Sequence, residues 1–163
     1  MISLRLALAS TTLLCMVQPA SADQPVPIEF LNSGKILPRN LPFSEIVRHG
    51  NTLYLSGQIG IQPGTTKLVA GGLQEEARQT MENIKTSLEA HGYSMGNLVK
   101  CTVMLADMAD WQAFNEVYKG FFSGDYPARS AFGANGLALG AKVEVECLGA
   151  VGEKCCKAKP GRF

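Results

Sequence analysis

Few side chains in this 163-residue sequence stand where they could do chemistry, and most of them lie towards its C-terminal end. Arg129 sits in the run Tyr126-Pro-Ala-Arg-Ser130, where a proline sets a turn and the arginine heads a strand-like stretch. A guanidinium suits a carboxylate because its planar fork donates two parallel hydrogen bonds. An arginine on an exposed edge would instead make a weak surface ion pair, and the residues by themselves leave both readings open. Glu144 and Glu146 alternate with Val143, Val145 and Cys147. Period two places both carboxylates on one face of a strand, where they either face water or belong to a site. Ser56-Gly57-Gln58 closes an earlier strand-like run; glycine there admits a ligand close to the backbone, or marks a bulge. There is no triad-like spacing of His or Asp, no phosphate-cradling glycine loop and no metal motif. Catalysis here would need neither metal nor covalent nucleophile. His49 and His91 each stand beside a glycine and read as surface residues.

The elements that must position these groups are legible from periodicity. Leu73, Ala77, Met81, Ile84 and Leu88 recur at helical spacing among charged residues, which predicts an amphipathic helix. Glu75 and Glu76 suit its positive N-terminus, and Gly92 ends it. Trp111, Phe114, Val117 or Tyr118, and Phe121 predict a second helix, with Asp107 or Asp110 as its cap. Strands are expected at 28–31, 43–48, 51–56, 98–105, 128–132 and 142–151, with a glycine-bearing loop at 133–140. Two long helices on one face of a mixed sheet make a two-layer α+β domain. An apolar face left uncovered points to self-association.

The ends carry different signals. One arginine, an apolar run from Leu6 to Val17, and Pro19-Ala-Ser-Ala22 follow one another in the order of a secretory signal. The expected division is a signal peptide at 1–22, a loosely ordered arm at 23–41, the folded domain at 42–152 and a polar tail at 153–163. The apolar run is short for a membrane span, so no membrane anchor is expected and the location is periplasmic or secreted. With Lys+Arg at 15 and Asp+Glu at 14, loss of Arg5 with the signal would balance the charges. A neutral chain has no electrostatic reason to seek nucleic acid. Cleavage would leave Cys101, Cys147, Cys155 and Cys156; export permits disulfides, and the tail cysteines make a tail disulfide conceivable.

Several segments, taken in order, resemble the RidA/YjgF (reactive intermediate deaminase) family. They are Leu55-Ser-Gly-Gln-Ile59, Gln79-Thr-Met-Glu-Asn-Ile84, Val99-Lys-Cys-Thr-Val103, Asn115-Glu-Val-Tyr118 with Phe121-Phe122, Tyr126-Pro-Ala-Arg-Ser130 and Val143-Glu-Val-Glu146. The resemblance runs from about Phe43 to Val151. It implies a chorismate-mutase-like fold assembled as a homotrimer with clefts between subunits. It also implies hydrolysis of 2-imino acids, or their enamine tautomers, to 2-oxo acids and ammonia, without a cofactor. Arg129 matches the family's carboxylate anchor, Glu144 the glutamate that positions water or handles protons, Ser56 and Gly57 the cleft wall, and Asn115 the helix asparagine. Three positions depart from the pattern: Phe43 stands where a tyrosine is common, Ala131 where a cysteine is often found, and Ala138 where a proline is usual. The pocket is therefore expected to be more apolar. A second reading keeps the clefts as a binding module for small carboxylates without turnover. A third, a ribonuclease, is disfavoured by the neutral charge.

Overall fold

The computed structural model describes residues 25–152. The segment read as a signal and the tail with Cys155 and Cys156 lie outside the described residues.

Six strands form one mixed sheet: β1 (Ile28–Leu31), β2 (Ile46–His49), β3 (Thr52–Ile59), β4 (Leu98–Leu105), β5 (Ala128–Gly133) and β6 (Val143–Ala150). They lie in the order β1-β2-β3-β6-β4-β5. Only β4 and β5 run parallel, because the chain between them crosses over through a helix. Two helices, α1 (Leu73–Ala90) and α2 (Trp111–Lys119), cover one face. The second is shorter than the sequence suggested. A 3-10 turn at Met108–Asp110 precedes it, capped by Asp107 through Ala109 N at 2.8 Å, and Gly120 closes it before Phe121. The first ends as expected, with Gly92 at φ 80°. Among the described residues, no helix is long and apolar enough to cross a membrane.

The core is the seam between helices and sheet. Ala77, Met81, Ile84 and Leu88 of α1 and Phe114 of α2 are buried against Leu53, Val103, Leu105, Val143 and Val145. This is the stripe and alternation legible in the sequence. The opposite face is open. Across it Phe30, Val47, Tyr54, Leu148 and Lys100 stand in register on β1, β2, β3, β6 and β4, with Phe30 69% exposed.

Four features differ from expectation. β2 starts at Ile46 rather than Phe43, and β3 continues to Ile59 through a bulge between Leu55 and Gln58. The arm is not loose over its described part. Buried Glu45 accepts hydrogen bonds from Ser33 N, Ser33 Oγ and Gly34 N, and Ile36 sits in the interior. A buried carboxylate needs such donors, so the arm is recruited to satisfy it. His91 is not a surface residue: its side chain is 16% exposed and its Nε2 lies 4.0 Å from Glu45. Finally, Cys101 and Cys147 are bonded to each other. They face across β4 and β6 with Cα atoms 4.1 Å apart, both buried.

Candidate active site

Polar side chains of α1 hold the sheet where the site forms. Asn83, fully buried, donates from Nδ2 to Ile59 O (3.1 Å) and Ile61 O (3.0 Å), and its Oδ1 accepts from Gln79 at 2.8 Å. The bond to Ile61 O satisfies a carbonyl beyond the end of β3, and Ile59 O accepts from Ile61 N as well. Glu76, also buried, accepts from Lys142 N at 2.7 Å and so fixes the start of β6. Gly60 lets α1 come close: a Cβ there would lie 2.6 Å from Glu76 Cα. The end of β3 and the start of β6 are thereby clasped together, and they carry Gly57 and Glu144.

The sequence-identified residues fall into two groups. In the first, Phe43, Ser56, Gly57 and Glu144 line a cavity of about 400 Å³ together with Leu41 and Leu139. A Cβ at Gly57 would overlap Glu144 Oε1 and lie 3.0 Å from its Cδ. Any side chain at this position would displace the carboxylate that lies over the bulge. Ser56 Oγ donates to Ser44 O at 2.7 Å, so its hydrogen anchors the loop bearing Phe43, and its oxygen remains able to accept. Burial, and then neighbouring Glu146, raise the Glu144 pKa above the ordinary glutamate value. Leu139 escaped the sequence reading. It is the one non-glycine residue at positive φ among those described, and it is 61% exposed at the cavity's mouth. Its neighbours Gly136 and Gly140 were the available signal.

In the second group, Asn115 and Arg129 line a separate cavity of about 460 Å³ with Gln112, Tyr118, Tyr126 and Pro127. Arg129 Nη2 donates to Asn115 Oδ1 at 2.6 Å. Its Cζ lies 4.8 Å from the Trp111 ring centroid and 4.6 Å from that of Tyr118. The hydroxyl of Tyr118 is buried, and burial raises its pKa while the charge of Arg129 partly offsets the rise. Ala131, two residues beyond Arg129, packs against the core and lines neither cavity. Among the described residues, no cluster of His, Cys, Asp and Glu could hold a metal ion.

The two groups do not meet within one chain. Arg129 is paired with Cys101 and reaches α2 on the helix-covered side, while its neighbour Ser130 bonds Lys100 on the open side. Glu144 lies between the buried Val143 and Val145 and projects to the open side. The anchor and the acid therefore occupy opposite faces of the sheet.

A family model described as Endoribonuclease L-PSP matches residues 36–151. This chain belongs to the RidA/YjgF family. The 2-iminobutanoate/2-iminopropanoate deaminase of Mus musculus is 43% identical over 111 residues, which is 68% of this chain and 82% of that protein. The protein of the same name from Homo sapiens is 42% identical over 107 residues, 66% of this chain and 78% of that one. Among solved structures, RidA from an Antarctic Psychrobacter bacterium is 36% identical with a TM-score of 0.71, over 76% of this chain and 99% of that one. E. coli TdcF with bound serine is 31% identical, also with a TM-score of 0.71, over 76% and 99%. The RidA/YjgF fold is thus the observed one, a mixed sheet with two helices.

Proposed function

We propose that this RidA/YjgF chain hydrolyses 2-imino acids, or their enamine tautomers, to 2-oxo acids and ammonia, in clefts where copies of the chain meet as a homotrimer. The observation that carries this is the placement of Arg129 and Glu144 on opposite sheet faces: each cavity holds half of a site, and a neighbouring copy supplies the other half. The exposed row of Phe30, Tyr54 and Leu148 on the open face supports association. The names of the relatives support the reaction. Arg129 pairs with the substrate carboxylate and orients the C=N carbon. Water held by Glu144 adds to that carbon, and Glu144 takes a proton from it. Glu144 returns that proton to the nitrogen to complete the carbinolamine; its C–N bond then breaks as the hydroxyl loses its proton to the nitrogen, leaving the 2-oxo acid and ammonia. Imines hydrolyse unaided, so positioning supplies most of the modest acceleration needed.

The direct test generates 2-imino acids with an amino-acid oxidase and follows their conversion. The chain should accelerate 2-oxo acid release with saturation. A second reading, a binding module, is favoured by the apolar Phe43 at the cavity wall; 2-oxobutanoate binding without turnover would support it. RNA hydrolysis is disfavoured by a formal net charge of +1.

The base must be ionised, and the raised pKa of Glu144 sets when that happens. Turnover should climb with pH through a midpoint above the ordinary value of about 4.3, and Glu144→Gln should remove this limb. The same shift predicts a stability effect. The folded state holds the proton more tightly than the unfolded one, so stability falls as pH rises from the unfolded to the folded pKa. Glu144→Gln should abolish that fall in melting curves recorded across pH.

Export is part of the proposal. The signal-like N-terminus motivates it, and the Cys101–Cys147 bond supports it, because cytosolic reductants keep such thiols reduced.

A further inference from the structure

We propose that Trp111 is a positioning residue for Arg129, and that it reports on the occupancy of the anchor. The inference rests on the reading that Arg129 binds a carboxylate.

Four residues of α2 at helical spacing, Trp111, Phe114, Asn115 and Tyr118, all face the Arg129 guanidinium. The ring centroids of Trp111, Phe114 and Tyr118 lie 4.8, 5.9 and 4.6 Å from its Cζ, and Asn115 Oδ1 takes Nη2 at 2.6 Å. Spacing of i, i+3, i+4 and i+7 puts all four on one stripe. An arginine free in water samples many rotamers, and ordering it on binding is unfavourable. Contact with aromatic faces and one fixed hydrogen bond orders it beforehand. Phe114 and Tyr118 are buried and also build the core. Trp111 is only partly buried and packs at the margin of that core, so paired Leu and Phe substitutions are needed to separate its contact with the guanidinium from its packing. It is also the chain's one tryptophan, and a carboxylate drawn to Arg129 changes the field at its indole.

The experiment titrates full-length wild-type protein with 2-oxobutanoate, following intrinsic fluorescence and calorimetry, and repeats the calorimetry and imine kinetics on Trp111→Leu and Trp111→Phe. Wild type should show a saturable emission change that Arg129→Ala abolishes. Trp111→Leu, which keeps apolar bulk without a π face, should raise Kd and KM about tenfold with kcat within twofold. Trp111→Phe should recover most of that loss. A purely packing role would lower the melting temperature of Trp111→Leu without splitting KM from kcat, and would overturn the proposal. So would equal affinities for wild type and Trp111→Leu, or a Phe variant no better than Leu. Wild type with neither 2-oxobutanoate binding nor turnover would defeat the underlying reading of Arg129 as well.

Discussion

Arg129→Ala and Glu144→Gln should each reduce imine hydrolysis by two orders of magnitude or more when purified alone, and recover activity when refolded together. The size of the single losses follows from what each removes. Truncating one partner of a desolvated charge pair costs about 2–5 kcal/mol, and a positioned general base contributes roughly 10²–10⁴-fold. The recovery follows from topology. Arg129 lies towards α2 and Glu144 projects from the other face of the same sheet, so the proposed cleft, which holds both groups, draws on two chains. In a cyclic assembly each cleft takes its arginine from one copy and its glutamate from the next. With equal amounts randomly mixed, an intact arginine meets an intact glutamate at about one cleft in four. The co-refolded mixture should therefore regain about a quarter of wild-type activity, far above the mean of the two variants. Each variant refolded alone is the control. A mixture no more active than that mean would show that the two groups do not meet between subunits.

Loss of the Cys101–Cys147 bond should be the largest stability effect available without emptying the core. The bond closes a loop with a sequence separation of 46 and joins two central strands, β6 and β4. Restricting the unfolded chain over such a loop stabilises by about 2–4 kcal/mol. Cys101→Ala/Cys147→Ala should lower the urea midpoint by roughly 1–2 M, given slopes of about 1–3 kcal/mol/M for small proteins. Wild type unfolded with reductant should match the double variant, and wild type unfolded without it should release no thiol from this pair. Because both cysteines are buried, reductant should act slowly on the folded protein and quickly once urea opens it. Native protein from an oxidising compartment with two titratable thiols at these positions would defeat the assignment and weaken the case for export.

The helices and most strands were legible because their signals are local. Leu73, Ala77, Met81, Ile84 and Leu88 form a stripe in any helix, and Val143, Val145 and Cys147 share a face in any strand. The disulfide was not legible, although both cysteines fell on buried positions. Their pairing depends on β6 entering the sheet between β3 and β4, and no local rule places it there. The same holds for the buried polar groups. His91, Glu45, Glu76 and Asn83 look like surface residues in isolation. Glu45, Glu76 and Asn83 are buried, and His91 is partly buried, because a distant backbone group or a buried side chain lies close to each.

The site divides in the same way. Residue types drew attention to Arg129, Glu144, Glu146, Ser56 and Gly57 but left their roles open; the resemblance to the RidA/YjgF family chose Glu144 over Glu146 and added Asn115. Their arrangement was another matter. Side-chain direction on a strand has period two, but which face turns towards the helices depends on packing across the whole sheet. Only the folded chain placed Asn115 as the holder of Arg129, laid Glu144 over Gly57, and put the two cavities on opposite sides of one layer.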